Sequence, residues 1–222
     1  SALCLCLAGC GKEEPTSPTP SPSKAESTKA TLTPGMKAAL KADAEGRHAD
    51  AVRFYTAELT AEEAKSAPSW TRLHTICRNI GNAHYAKNEY DRALEYYEKS
   101  LAIRLKQLGP DHPDVATSYN NIGLVHDKKG EYDKALEFHQ KSLDIRLKKL
   151  EADHPDVATH YNRIGNVYHS KGEDDQALEY HLKSLAIKLK QLGPDHPNVA
   201  VSYNNIGNVC HAKGEHDQAL EY

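Results

Sequence analysis

The chain has 222 residues, 27% of them charged and 39% hydrophobic, with a formal net charge of -3 at neutral pH. Charges of both signs are interspersed along it. That excludes the one-signed basic face of a nucleic-acid binder and a polybasic patch for a membrane surface.

The first ten residues, SALCLCLAGC, form an apolar run too short to span a bilayer. Its last four residues, Leu7, Ala8, Gly9 and Cys10, resemble the lipobox of a bacterial lipoprotein signal peptide. The resemblance implies cleavage before Cys10, diacylglycerol on its sulfur and usually a third acyl chain on its amine. More than one chain makes such a tether stable, because a single chain binds membranes only marginally. Residues 1–9 are then a signal peptide whose charged start is expected upstream of Ser1. Gly11 stands where an Asp would signal inner-membrane retention, so the expected location is the bacterial cell envelope, on the periplasmic side of the outer membrane in a Gram-negative cell.

Residues 10–33 carry the lipidated cysteine and a stretch dense in Pro, Ser and Thr with a single Leu and no aromatic residue. Such a segment cannot build a core. It reads as an extended spacer of roughly 50 to 70 Å at ~3.1 Å per residue.

Beyond Pro34 the chain repeats. Gly81, Gly123, Gly165 and Gly207 fall 42 residues apart, and so do Ala51, Ala93, Ala135, Ala177 and Ala219. One supersecondary unit per fixed period is the signature of a solenoid, which overrides any estimate of domain number from length. The expected units are a degenerate first repeat at 34–68, full repeats at 69–110, 111–152 and 153–194, and a partial repeat at 195–222. Tyr222 is in register with Phe138 and Tyr180, partway through a second helix, so the array is expected to continue.

One unit, residues 113–150, shows the logic. Tyr119, Ile122, Gly123 and His126 stand at i, i+3, i+4 and i+7, one buried stripe of a first helix. Glycine inside a helix costs about 1 kcal/mol against alanine. A close helix contact should compensate, with Ala135, Ala177 and Ala219 as the expected small partners. Gly130, Gly172 and Gly214, with Asn88 in the earlier unit, suit a left-handed helix end. The second helix offers Leu136, Leu143, Ile145, Leu147 and Leu150 for packing, and Glu137 four residues before Lys141 on its solvated side. Pro113, Pro155 and Pro197 fit the first turn of the next unit. His112, His154 and His196 recur once per unit in turns, too far apart to hold a metal together. Cys77 and Cys210 lie about three units apart and are expected as small core residues rather than a disulfide.

At Tyr119, Ile122, Gly123, His126, Ala135 and His139 the chain resembles the tetratricopeptide family. The period of 42 and the phrase LGPDHPDVATSYNNIG are similar to the kinesin light chain type. The resemblance implies an all-α fold, a right-handed superhelical α-solenoid of antiparallel helix pairs. Departures are Leu147 in place of the closing proline and Tyr119 in place of the leading tryptophan.

A second stripe runs beside the buried one and is expected to line the concave surface. It comprises Arg78, Asn82 and Tyr85, then Asn120, Leu124 and Asp127, then Asn162, Asn166 and His169, then Asn204, Asn208 and His211. Each Asn offers a donor and an acceptor, the two groups an extended peptide backbone presents. An Asn ladder can therefore hold a peptide without reading its side chains, and tetratricopeptide grooves commonly use asparagines so. The alternative is that these amides bond between adjacent helices and knit the array. Asn121 and Asn205, the second residues of the SYNNIG doublets, are expected in that knitting set. A lysine-rich carboxylate clamp is not evident; Arg78 and Arg163 are isolated positives.

The expected function is a protein-interaction scaffold anchored through lipid on Cys10, with a protein or peptide partner, no cofactor and no metal. No nucleophile, base and orienter grouping, phosphate-binding loop or HExxH motif suggests an enzyme. The alternatives are a regulatory arm of a larger protein with an effector such as a caspase-like protease, and a self-associating structural array.

Overall fold

The computed structural model describes residues 32–219; Cys10, the lipobox and the spacer up to residue 31 lie outside the described residues. Ten helices and no strand occur among them: α1 (Pro34–Ala44), α2 (His48–Glu63), α3 (Trp70–Ala86), α4 (Tyr90–Leu108), α5 (Pro113–Lys128), α6 (Tyr132–Lys149), α7 (Pro155–Lys171), α8 (Asp174–Leu192), α9 (Pro197–Ala212) and α10 (His216–Ala219). Each odd-numbered helix pairs with the even one after it, and that one packs on the next odd helix. The core is accordingly a row of small clusters rather than one large one.

The helix ends explain the period. Within each pair the chain turns through a left-handed residue, Gly46, Asn88, Gly130, Gly172 or Gly214, with φ between 59° and 81°. The next N–H reaches back to a carbonyl five residues earlier, as in Glu131 to His126 at 2.9 Å and Glu173 to Tyr168 at 2.9 Å. This is the Schellman closure, which satisfies a carbonyl the helix end would orphan. Between pairs, Gly109 and Gly193 take positive φ directly after Leu108 and Leu192. Glu151 stands at the corresponding place in the middle unit, and there α6 ends one residue earlier, with Leu150 extended.

The histidines of the inter-unit turns have a structural task that the spacing alone did not reveal. His112, His154 and His196 are N-caps: each Nδ1 accepts the backbone N–H two residues on, at 3.1 Å, just ahead of the helix-starting proline. The prolines Pro113, Pro155 and Pro197 sit in the first turn as expected. Serines of the second helices supply a recurring staple. Ser100, Ser142 and Ser184 donate to the carbonyls of His74, Ala116 and Ala158 at 2.9, 2.7 and 2.8 Å.

The glycine contact differs from the expectation. A Cβ added at Gly123 or Gly165 would lie 2.9 Å from the ring of His139 or His181, and one at Gly81 would lie 2.7 Å from the Tyr97 ring. The glycine thus makes room for a fully buried ring from the second helix. Ala135 and Ala177 are buried but are not what the glycine meets; only at Gly207 is Ala219 the neighbour, through its backbone oxygen at 3.4 Å. Leu147, expected in the packing set, is 38% exposed.

Units are also joined by ion pairs. Lys129, Lys171 and Lys213, each at the C-terminal end of a first helix, reach Asp91, Asp133 and Asp175 of the preceding pair at 2.7, 2.8 and 2.9 Å. Within a unit, Lys148 and Lys190 reach back to Asp111 and Asp153 of the turn that opens it. The aspartates Asp91, Asp133 and Asp175 are more than four-fifths exposed, so solvent screening leaves each pair little net worth. On the outer side of the second helices, Glu95, Glu137 and Glu179 bond Lys99, Lys141 and Lys183 as expected. Each of those lysines also lies over an aromatic ring, of Tyr96, Phe138 or Tyr180.

Candidate functional site

The first helices α3, α5, α7 and α9 carry the asparagine stripe. Helices α7 and α9 approach closely enough for Asn205 Nδ2 to donate to Asn162 Oδ1 at 2.9 Å. The stripe is not uniform.

At α3, Asn82 is exposed, and its Oδ1 accepts from the Tyr97 phenol at 2.7 Å. That leaves the Asn82 amide N–H groups to face solvent as donors. Arg78 is half-buried and donates to Asn79 Oδ1 at 3.3 Å. Tyr85 is half-buried beside Tyr90, and burial pushes its phenol up.

At α5, Asn120 is buried at 9% exposure and its Oδ1 has no hydrogen-bond partner among the described residues. It is drawn into the array rather than presented on a surface. Leu124 and Asp127 are half-buried, and burial raises the Asp127 carboxyl.

At α7, Asn162 is half-buried and its Oδ1 also lies 3.2 Å from His181 Nδ1. The Asn205 to Asn162 bond joins two first helices and uses both an expected groove residue and Asn205 of the knitting set. Asn166 is exposed. His169 Nδ1 sits 2.7 Å from Asp174 Oδ1 across the turn of the pair. Arg163, which replaces the second asparagine of the doublet, is half-buried; burial lowers its pKa, and its Nε has no hydrogen-bond partner. At α9, Asn204, Asn208 and His211 are all exposed.

The surface available to a partner along this stripe therefore includes Asn82, Asn166, Asn204 and Asn208, separated by the half-buried Arg78, Leu124 and Asn162. The buried ring slot behind it was not anticipated: Tyr55, Tyr97, His139 and His181 occupy one position of the period. Tyr97 and His181 reach from it to stripe residues. The signal was present as a recurring spacing of 16 residues from a helix glycine to a ring, at Gly81 to Tyr97, Gly123 to His139 and Gly165 to His181.

Cys77 and Cys210 are buried free thiols. Among the described residues no cluster of His, Cys, Asp and Glu is arranged to hold a metal ion, and no helix is long and apolar enough to cross a membrane.

A family model described as tetratricopeptide repeat matches residues 72–148 and 156–222. No curated protein matches the chain. Among solved structures it is similar to BtubC (BKLC) from P. vanneervenii, at 23% identity and TM-score 0.73, over 82% of this chain and 73% of that one. It is likewise similar to a Podosopora anserina putative kinesin light chain with nearly identical TPR-like repeats, at 22% identity and TM-score 0.72, over 83% of this chain and 88% of that one. A third likeness is to the Rap conjugation gene regulator of the plasmid pLS20 in complex with the Phr* peptide. There identity is 17% and TM-score 0.63, over 83% of this chain and 49% of that one. At these identities the likenesses show the fold.

Proposed function

The chain belongs to the tetratricopeptide repeat family, and on that footing we propose that it is a protein-interaction scaffold that holds an extended segment of a partner along the face of α3, α5, α7 and α9. The observation that carries this is the exposed series Asn82, Asn166, Asn204 and Asn208, with the carbonyl of Asn82 taken up by Tyr97 so that its amide is free to donate. Such donors suit the backbone carbonyls of an extended peptide, which every sequence presents. The peptide named in the complex of the Rap regulator supports the reading by likeness of fold. The reading gives the chain no catalytic role.

We further propose that acylation of Cys10 tethers this scaffold to the bacterial envelope, with residues 11–33 as the spacer. The lipobox tetrad Leu7 to Cys10 supports it. Expression of the full reading frame with radiolabelled palmitate tests it: label in wild type and none in Cys10→Ser is expected, and equal absence of label from both overturns it.

The groove is tested by screening a library of extended peptides against the chain and titrating the binders against Asn166→Ala/Asn204→Ala/Asn208→Ala. Each lost hydrogen bond is worth about 0.5–1.5 kcal/mol, so a loss of roughly tenfold or more in affinity is expected at an unchanged melting temperature. Unchanged affinity would move the partner to another face.

A further inference from the structure

The seams between pairs are built at one position of the period, and the first seam has the opposite polarity from the others. At the seam between α4 and α5, Arg104, 3% exposed, donates Nη1 to the Asp114 carbonyl at 2.9 Å and to Ser118 Oγ at 2.8 Å. At the next seam Arg146 Nη1 meets the Asp156 carboxylate at 2.8 Å, and its Nε meets His160 Nε2 at 3.3 Å. At the last, Lys188 donates to Ser202 Oγ at 2.7 Å. In each case a cation leaves a second helix for the start of the following first helix, which bears Asp114, Asp156 or Asn198.

At the seam between α2 and α3 the same two positions hold Glu62 and Arg72. Glu62 is 2% exposed, and its Oε2 lies 2.8 Å from Arg72 Nε as an ion pair. The remaining capacity of its carboxylate is filled by Lys65 at 2.7 Å and the Ser69 N–H at 2.9 Å, while Arg72 also reaches Glu58 at 3.3 Å. The anion is on the second helix and the cation on the first.

We infer that this inverted pair is a key that lets α2 accept an α3 and refuse α5 and α7, whether of its own chain or of a second copy. Tandem units this similar offer every second helix several near-equivalent partners, in the same chain and in a second copy, and misassembly between them is a characteristic failure of repeat proteins. A slip of one unit would set Glu62 against Asp114, and α4 of a second copy docking on α3 would set Arg104 against Arg72. Either sets a like charge against Glu62 or Arg104, which are 2% and 3% exposed, and an unpaired charge so buried is far more costly than one on a surface. The later seams share one polarity and do not exclude one another. The key thus fixes the end of the array at which register begins, and what it refuses is a mismatched helix of a second copy of this chain.

The test uses the full chain, unfolded in denaturant and refolded at several concentrations, with species resolved by size exclusion and light scattering. Glu62→Arg/Arg72→Asp gives the first seam the polarity of the others. Its expected behaviour is a severalfold larger, concentration-dependent fraction of dimers and higher species than wild type, while Glu62→Arg alone melts lower than the double variant. A second variant, Arg146→Glu/Asp156→Arg, copies the inverted key into the third seam and is expected to raise the same fraction by giving α2 a second acceptor. If both double variants refold with the wild-type distribution, the key is overturned. If the first fails to refold, the distribution of the second decides.

Discussion

The buried ring slot of the period is filled by a phenol in the N-terminal half of the array, at Tyr55 and Tyr97, and by an imidazole in the C-terminal half, at His139 and His181. The backbone geometry is the same in both halves, yet the chemistry is not. Burial pushes the Tyr55 phenol up to about 12 and Tyr97 higher still, so neither ionises until strongly alkaline pH. Burial pushes His139 down to about 3 and His181 to about 4. A repeated fold can therefore carry a graded response to acid, to which this one position of its period contributes two of the depressed histidines.

The largest expected effect follows from that gradient. Buried His74 and His160 are also depressed to about 4, chiefly by burial. A histidine held neutral in the folded state binds its proton more readily when unfolded. Its contribution is therefore complete above the unfolded value near 6.5 and is lost as pH falls toward the folded value. Each such group forfeits up to about 3 kcal/mol. Denaturant melts from pH 7 to pH 4 should show stability falling steeply below pH 6.5, with hydrogen exchange rising first in α5 to α8. A flat profile over that range would break the comparison.

Substitution within the slot sharpens it. A tyrosine at 181 would have Asn166 in the place that Asn82 takes for Tyr97, whereas one at 139 would meet Leu124. His181→Tyr is expected to keep neutral stability within about 1 kcal/mol and to shallow the acid limb. His139→Tyr should lose roughly 1–3 kcal/mol by burying an unpaired hydroxyl. Equal losses in thermal melts would show that the Asn82 to Tyr97 bond does not transfer.

The glycines give a third measure. Alanine at Gly81, Gly123 or Gly165 forces a ring aside and should cost about 1–3 kcal/mol. Calorimetry of the three variants against the parent chain measures it, and unchanged melting would show that the ring yields without cost.

The smallest contrast lies within the asparagines. Asn162→Ala removes the acceptor of Asn205 and should lower stability by about 1 kcal/mol. Asn166→Ala and Asn208→Ala, on exposed residues, should stay within about 0.5 kcal/mol.

These contrasts also mark how far the sequence could be read. The period, the left-handed turn residues, the helix-starting prolines and the outer Glu and Lys pairs each act within a few residues of chain, and all were legible from spacing. The ring against the glycine was not, because small residues suggest small partners, while a glycine can equally open a slot for something large. The asparagines show the same limit more sharply. Asn120 and Asn162 hold one position of the period, yet Asn120 is buried with its Oδ1 unpartnered while Asn162 is half-buried and accepts from Asn205 of the next first helix, a partner that local spacing does not show. The histidine caps were hidden for a different reason: imidazole is seldom thought of as a cap, though its Nδ1 can accept an N–H as a carboxylate does.

The rungs from Asp91 to Lys129, Asp133 to Lys171 and Asp175 to Lys213 bear on how such a gene can change. Every stretch of 42 residues brings a lysine for the unit before it and an aspartate for the unit after it. Duplication or loss of a whole unit by unequal recombination between the later repeats would therefore leave each junction with both of its charges. Length is a trait this array can vary in single steps, with no compensating mutation, everywhere except at its first unit.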